Sequence, residues 1–202
     1  MREKLLISTG GGDAPGLNAV IFAVVNSATR KGWEVYGSRS GYGGLLDRDD
    51  LVRLTPESVE GILSQGGTIL GSTNKGNPFA KPVENLAGEI QIVDISDKIL
   101  TAFQRNGFFC HIAVGGDGSL EIAHRFAQKG MPVIGVPKTI DNDLEATDRT
   151  FGFDTAVSTA TDAIDKLHST AKSHDRVMVV EVMGRDSGWI ALYSGSSGGA
   201  DG

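Results

Sequence analysis

The chain has 202 residues, 40% of them hydrophobic, with a formal net charge of −6 and one cysteine. That length and apolar share suffice for one domain and part of a second. The acidic balance, without any basic cluster, argues against nucleic acid as a partner. A lone Cys110 excludes an internal disulfide and fits a reducing, cytoplasmic setting. No stretch approaches a membrane span, and the apolar start at Leu5-Leu6-Ile7 is too short for a secretory signal. Glycine makes up 28 residues, about twice the usual share. Most of these glycines sit singly or in pairs beside apolar strands, which low-complexity disorder does not explain.

In chain order, the pattern predicts a strand over 4–8, a glycine-rich turn, and a helix over 17–31. A strand over 34–39 and a helix over 56–64 follow, then an irregular segment over 66–81 long enough to be a functional loop. The next elements are a helix over 97–106, a strand over 111–114, a helix over 119–129 and a strand over 133–136. The helix over 153–171 carries one apolar stripe, Ala156, Ala160, Ile164 and Leu167. A strand over 177–182 and a short helix over 187–193 close the list. Short strands alternating with helices imply parallel βαβ units and a layered α/β fold. The division is expected at 1–150 and 151–202, the second part being the incomplete start of another α/β domain.

Three loops at strand ends carry the chemistry. Gly10-Gly11-Gly12-Asp13-Ala14-Pro15-Gly16 follows the first strand, and its glycines let the backbone approach an anion at the start of a helix. Gly115-Gly116-Asp117-Gly118-Ser119 repeats that arrangement after Ile112-Ala113-Val114. Neither is a Walker loop, since no Gly-Lys-Ser/Thr tail occurs. Pro137-Lys138-Thr139-Ile140-Asp141-Asn142-Asp143 gathers an ammonium, a hydroxyl, an amide and two carboxylates at a strand's carboxyl end, the edge where ligands collect in α/β sheets. Asp141 and Asp143 point the same way if this segment is extended, so one can take a proton while the other serves a metal. Taken alone, the segment also reads as a solvated Asx turn. Of the histidines, His124, His168 and His174 fit surface or helix-end positions, and His111 opens a strand.

With these loops in this order the chain resembles the phosphofructokinase family. The resemblance runs through the first glycine-rich loop, Gly41-Tyr42-Gly43-Gly44, Gly66-Gly67-Thr68, the Gly115–Ser119 turn and the Thr139–Asp143 segment. It continues into Ser173-His174-Asp175-Arg176 and Glu181-Val182-Met183-Gly184-Arg185. The Gly115–Ser119 turn by itself is also similar to NAD kinases and lipid kinases; the later motifs argue against them.

The resemblance implies a kinase using Mg²⁺ and ATP on fructose 6-phosphate in glycolysis, working as a homo-oligomer. It makes Asp141 the general base, with Thr139, Lys138 and Arg185 beside the transferred group. Asp117 and Asp143 become the Mg²⁺ carboxylates. Gly12, Tyr42, Asn74, Lys75, Gly116, Asp117, Gly118 and Ser119 face the nucleotide. Thr139, Ile140, Asp141, Arg176, Met183, Gly184 and Arg185 face the sugar phosphate, Arg176 in a neighbouring subunit.

Departures from the family pattern bear on the donor. ATP-dependent members usually have Gly at both 118 and 138, and pyrophosphate-dependent ones usually Asp and Lys; this chain combines Gly118 with Lys138. Glycine at 118 leaves room for an α-phosphate, so ATP is expected and pyrophosphate is the alternative. Asn74 stands where many ATP enzymes have a phosphate-binding arginine, with Lys75 adjacent. Phe22, Asn26 and His168 stand where regulated bacterial members place effector-binding arginines. Family members continue well past residue 202, so the resemblance implies an N-terminal portion. It implies a chain that binds nucleotide but does not complete turnover alone, with a non-catalytic binding fragment as a further alternative.

Overall fold

Leu5 and Ile7 point to one face of the first strand and Leu6 to the other, and all three are buried. The strand β1 (Lys4–Thr9) is therefore covered on both sides, as a central parallel strand must be. The computed structural model describes residues 2–47, 49–73, 76–85 and 88–201. By internal contacts the chain divides into Met1–Pro137 and Lys138–Gly202, where the sequence pattern suggests 150/151.

In the first unit, β1 pairs in parallel with β2 (Glu34–Ser38) on one side, and β3 (Leu51–Leu54) adds to β2 antiparallel. A separate hairpin joins β4 (Lys81–Glu84) to β5 (Ile90–Val93). On its other side β1 pairs in parallel with β6 (Phe108–Gly115), which pairs in parallel with β7 (Val133–Thr139). A register shift between Lys4 and Leu5 marks a bulge, so Cys110 faces Leu5 and the alternation of β6 is reset.

Helix α1 (Leu17–Arg30) covers one face through Leu17, Val20, Ile21, Val25 and Ala28. Helices α2 (Ser96–Arg105) and α3 (Asp117–Gln128) bring Ile99, Phe103 and Phe126 to the cluster around Leu6 and Phe108 on the other. Cys110 is a buried free thiol whose burial pushes its pKa up, the behaviour of a core residue.

In the second unit, β8 (Phe151–Gly152) pairs with Lys138 and Thr139 at the end of β7. It leads into α4 (Phe153–Ser173) and later α5 (Trp189–Ser197). The expected stripe of Ala156, Ala160, Ile164 and Leu167 is half-buried. Phe153 meets Tyr193 edge-on at 5.5 Å, and His168 Nε2 lies 2.6 Å from the Gly198 carbonyl.

Two expected elements are not formed. The helix over 56–64 is replaced by two 3₁₀ turns, Glu57–Val59 and Ile62–Ser64, separated by Gly61 at φ 77°; a left-handed residue cannot sit inside a right-handed helix. The strand over 177–182 is an unpaired segment in which Val177 and Val179 are each 92% exposed. The pattern also passes over β3, β4, β5 and β8, all of four residues or fewer.

His111 on β6 is fully buried. Its Nε2 lies 2.8 Å from Ser8 Oγ on β1, while Nδ1 has no partner. Burial pushes its pKa from 6.5 down to about 3. An unfolded chain would take up a proton near pH 6.5 that the folded one refuses. Stability should thus fall as pH drops through the window from about 6.5 to 3, by about 1.4 kcal/mol per pH unit at most. Urea midpoints between about pH 6.5 and 5, above most carboxylate titration, should show this slope in the parent and a flatter one in His111→Gln. Equal slopes would remove His111 as the cause.

Candidate active site

In the first unit the two glycine-rich turns lie side by side because they follow adjacent parallel strands. Gly10 N donates to the Val114 carbonyl at 2.9 Å. Ser119, in the first turn of α3, fits between the turns. A Cβ on Gly10 would lie 2.8 Å from Ser119 Oγ, and one on Gly115 would lie 2.4 Å from Ser119 Cβ. These two glycines are required by close approach. Gly12 and Gly118 differ: a Cβ there would meet nothing within 4 Å. Both are exposed, with Gly116 half-buried between them and Asp117 exposed in the first turn of α3. The free amides of that turn favour an anion.

A third segment closes this edge. Gly11, at φ 79°, donates its N–H to the Thr73 carbonyl at 3.0 Å, and Ser72 Oγ donates to the Gly11 carbonyl at 2.5 Å. Asn74 and Lys75, the expected phosphate contacts next in the chain, lie outside the described residues. Tyr42 sits in a 3₁₀ turn, Gly41–Leu45. Its ring lies 4.7 Å from Phe126 and 5.2 Å from His111, and its hydroxyl is buried without a partner. Burial pushes that phenol's pKa up, so it stays neutral, and any nucleotide contact would use the ring.

In the second unit the Thr139–Asp143 segment forms a braced turn. Asp141 N donates to Thr139 Oγ1 at 3.1 Å, and the Thr139 hydroxyl lies 3.3 Å from Asp141 Oδ2. Asn142 takes the left-handed conformation at φ 50°. Its Oδ1 accepts from Thr150 N at 2.9 Å, and its Nδ2 lies 3.3 Å from the Asp148 carbonyl. Thr150 Oγ1 donates to the Thr139 carbonyl at 2.7 Å. Lys138 is 3% exposed, Ile140 is half-buried and Asp143 is exposed. The hydroxyl of Thr139, not an Asx side chain, closes the turn two residues on, and Asn142 instead bonds across to Thr150 and Asp148, so the isolated Asx-turn reading does not describe this geometry.

The Met183-Gly184-Arg185 motif is joined to this turn by a residue that the sequence reading did not single out. Ser187 Oγ lies 2.7 Å from the Asp141 carbonyl, and Ser187 N donates to the Gly184 carbonyl at 2.8 Å. A Cβ on Gly184 would lie 2.4 Å from the Ser187 carbonyl oxygen, which explains the glycine. Met183 is 75% exposed, and Arg185 is exposed at φ 52° with only a 3.6 Å surface pairing to Asp186. Arg176 is exposed beyond the end of α4. Serine three residues after a tight glycine is a turn signal, but nothing in the sequence tells which carbonyl it will hold.

Among the described residues no group of three His, Cys, Asp or Glu side chains could hold a metal alone. Mg²⁺ keeps several waters and is usually held by one or two carboxylates plus substrate phosphates. The exposed carboxylates of Asp117 and Asp143 therefore fit that ion as single ligands.

The phosphofructokinase family model matches residues 4–202, and the chain belongs to that family. It is 54% identical over 200 residues to ATP-dependent 6-phosphofructokinase 2 of Clostridium perfringens, covering 98% of this chain and 54% of that protein. It is 52% identical over 195 residues to the pyrophosphate–fructose 6-phosphate 1-phosphotransferase of Amycolatopsis mediterranei, covering 96% and 53%. Among solved structures it is similar to Pichia pastoris phosphofructokinase in the T-state, with a TM-score of 0.86 and 34% identity. That match covers all of this chain and 22% of the other. The chain thus spans about half the length of the curated relatives it matches. Membership leaves the NAD- and lipid-kinase alternatives without support.

The bracing of the Thr139–Thr150 turn gives a prediction. Asn142→Ala loses its hydrogen bonds to Thr150 and Asp148 and puts alanine in a left-handed conformation. The variant should lose about 1–3 kcal/mol of stability, measured by chemical unfolding. No change in midpoint would show that the turn holds without it.

Proposed function

We propose that the protein carrying this chain transfers the terminal phosphoryl group of ATP to the 1-hydroxyl of fructose 6-phosphate, with Asp141 as general base. The observation that carries this reading is the Thr139–Asp141 turn. The Thr139 hydroxyl holds Asp141 Oδ2, which leaves Oδ1 to take the proton of an acceptor hydroxyl. Phosphoryl transfer asks mainly for alignment and charge neutralisation, and the turn supplies both groups. The buried ammonium of Lys138 and the guanidinium of Arg185 neutralise the transferring charge. Ser187 ties the peptide of Asp141 to the turn that presents Met183 and Arg185, so base and sugar-binding groups keep one geometry. Ile140, Met183, Gly184 and Arg176 complete the sugar-phosphate contacts, Arg176 toward a second copy of the protein.

On the donor side, the backbone of Gly12, Gly116, Gly118 and Ser119 receives the phosphates, with the Tyr42 ring alongside and Asn74 and Lys75 following. Asp117 in the first unit and Asp143 in the second each offer a single carboxylate that would hold Mg²⁺ against phosphate charge. The open space at Gly118 favours ATP, whose α-phosphate needs it. Pyrophosphate is the second reading, favoured by Lys138 and by the pyrophosphate-named relative at nearly the same identity. A cytoplasmic homo-oligomer is the setting we propose. The lone free thiol fits a reducing compartment and says nothing of assembly; among the described residues no helix is long and apolar enough to cross a membrane.

Two measurements test the proposal. Asp141→Asn keeps the size of the side chain and removes the proton acceptor, so kcat should fall by roughly 10²–10⁴ with little change in ligand binding. Turnover within a few-fold of the parent would sink the role. Gly118→Asp has room for its side chain, so it should fold and lose ATP-dependent activity by setting a carboxylate against the α-phosphate. Paired assays with ATP and pyrophosphate decide the donor, and a parent that uses only pyrophosphate would reverse the assignment.

A further inference from the structure

The Gly66-Gly67-Thr68 motif has no role in the reading above, yet the segment around it is held by a buried side chain from another element. Asn18, in the first turn of α1, is 2% exposed. Its Nδ2 donates to the carbonyls of Gln65 and Gly66, each at 3.2 Å, and its Oδ1 accepts from Ile69 N at 2.9 Å. The amide orientation follows from the partners, since a backbone N–H needs an acceptor and two carbonyls need a donor. All three bonds go to one loop, 47–51 residues away in sequence.

Thr9, at the end of β1, holds the same loop further on. Its Oγ1 donates to the Gly71 carbonyl at 2.7 Å and lies 3.0 Å from Thr68 Oγ1. Leu70 is buried between these grips in space that Gly37 leaves open: a Cβ there would lie 2.3 Å from Leu70 Cδ2. Gly67 and Gly71 take left-handed conformations at φ 76° and 68°, so the loop turns sharply on either side of Leu70. Its far end makes the two bonds to Gly11, from Thr73 and Ser72.

Leu70 fixes the depth of the loop at one point, but a single apolar anchor leaves rotation about that point free. The hydrogen bonds of Asn18 before it and of Thr9 around it remove that rotation. Both residues belong to the strand–turn–helix that contains Gly10-Gly11-Gly12. The loop is thus referenced to the very turn it meets at Thr73.

We propose that Asn18 is a positioning residue for the phosphoryl donor: it locks residues 65–73 against the first glycine-rich turn, so that the peptides at Gly11 and Thr73 are set before the donor arrives. This rests on the donor reading above and gives the Gly66-Gly67-Thr68 motif its function, as the loop that Asn18 can grip. Asn18 is buried, with its side-chain amide engaged by Gln65, Gly66 and Ile69, so its action on the donor is indirect.

The test compares Asn18→Ala and Asn18→Asp with the parent in the full-length protein. Asp keeps the acceptor for Ile69 but turns a carboxylate oxygen toward two carbonyls. Amide exchange over 65–73 should rise at least about tenfold in both variants. Affinity for Mg-ATP, read by calorimetry, should fall between about tenfold and a hundredfold. KM for fructose 6-phosphate should stay within about twofold and kcat at saturating donor within about threefold, a split that mere destabilisation would not produce. Should neither variant fold, Thr9→Val removes the grips on Thr68 and Gly71 with little change in shape and should move the same readouts in the same direction. A lowered melting temperature with donor affinity within twofold of the parent would make the network structural only and overturn the proposal. A parent that binds neither ATP nor pyrophosphate would overturn this proposal together with the donor reading; intact binding in the parent and unchanged binding in the variants overturns this one alone.

Discussion

Two peptide turns approach more closely than any side chain would allow, and the first unit is arranged around that contact. Gly10 and Gly115 each lack the Cβ that would collide with Ser119. Adjacent parallel strands end at the same edge, so β1 and β6 deliver their turns together. Each turn then runs into a helix, α1 or α3, whose first amides remain free. A larger residue at either glycine would push the turns apart and displace Ser119 from the first turn of α3. The contact suits the proposed use of backbone rather than side chains toward phosphate, which is compatible with a net charge of −6. Local amides and a few fixed cations act at short range, whereas overall charge is screened over roughly 10 Å.

The second unit solves a different problem with the opposite means. In the proposed reading Asp141 is a general base, which must be held at one oxygen and left open at the other, and glycine cannot do that. Thr139, Asn142, Thr150 and Ser187 form a set of side-chain-to-backbone bonds around the Asp141 peptide. Polar side chains that compete with regular structure are favoured in such turns. Here they keep residues 140–150 ordered without a helix or strand. Close approach of backbone fits the charge recognition proposed for the first unit, and bracing by side chains fits the proton transfer proposed for the second.

The elements legible in the sequence are those whose signal is local. α1, α3 and α4 carry an apolar period of 3–4 residues and make their hydrogen bonds within themselves, and they stand within two residues of where the pattern puts them at either end. β1 and β6 are legible because burial on both faces writes an unbroken apolar run. The glycine-rich turns and the Thr139–Asp143 segment are legible as candidate sites from residue type alone. What was hidden depends on partners. Asn18 and Ser187 look like ordinary polar residues, and their bonds lie about 50 residues away in sequence. Gly61 lies inside the helix expected over 56–64, and its left-handed conformation decides otherwise.

The segment 177–182 shows why strands resist such reading. Val177, Val179 and Val180 have every local preference for extended structure, and the backbone there is not helical. A strand, however, is defined by a neighbour's carbonyls and amides, and β-propensity measures fit to such a neighbour rather than a property of the residue. With Val177 and Val179 each 92% exposed, the propensity is present and the pairing is not. The same argument explains β3, whose four residues would be marginal alone. It is a strand because Val35, Tyr36, Gly37 and Ser38 offer it an edge in antiparallel register. Helices are therefore decided by the chain's own period, while strands are decided by what lies beside them. In this molecule the Thr139–Asp143 turn grows from the end of β7, whose last residues, Lys138 and Thr139, have their β8 partner across the whole of the 140–150 turn. The order of the turn and the pairing of the strand thus stand or fall together, with Asn142 and Thr150 as the residues that join them.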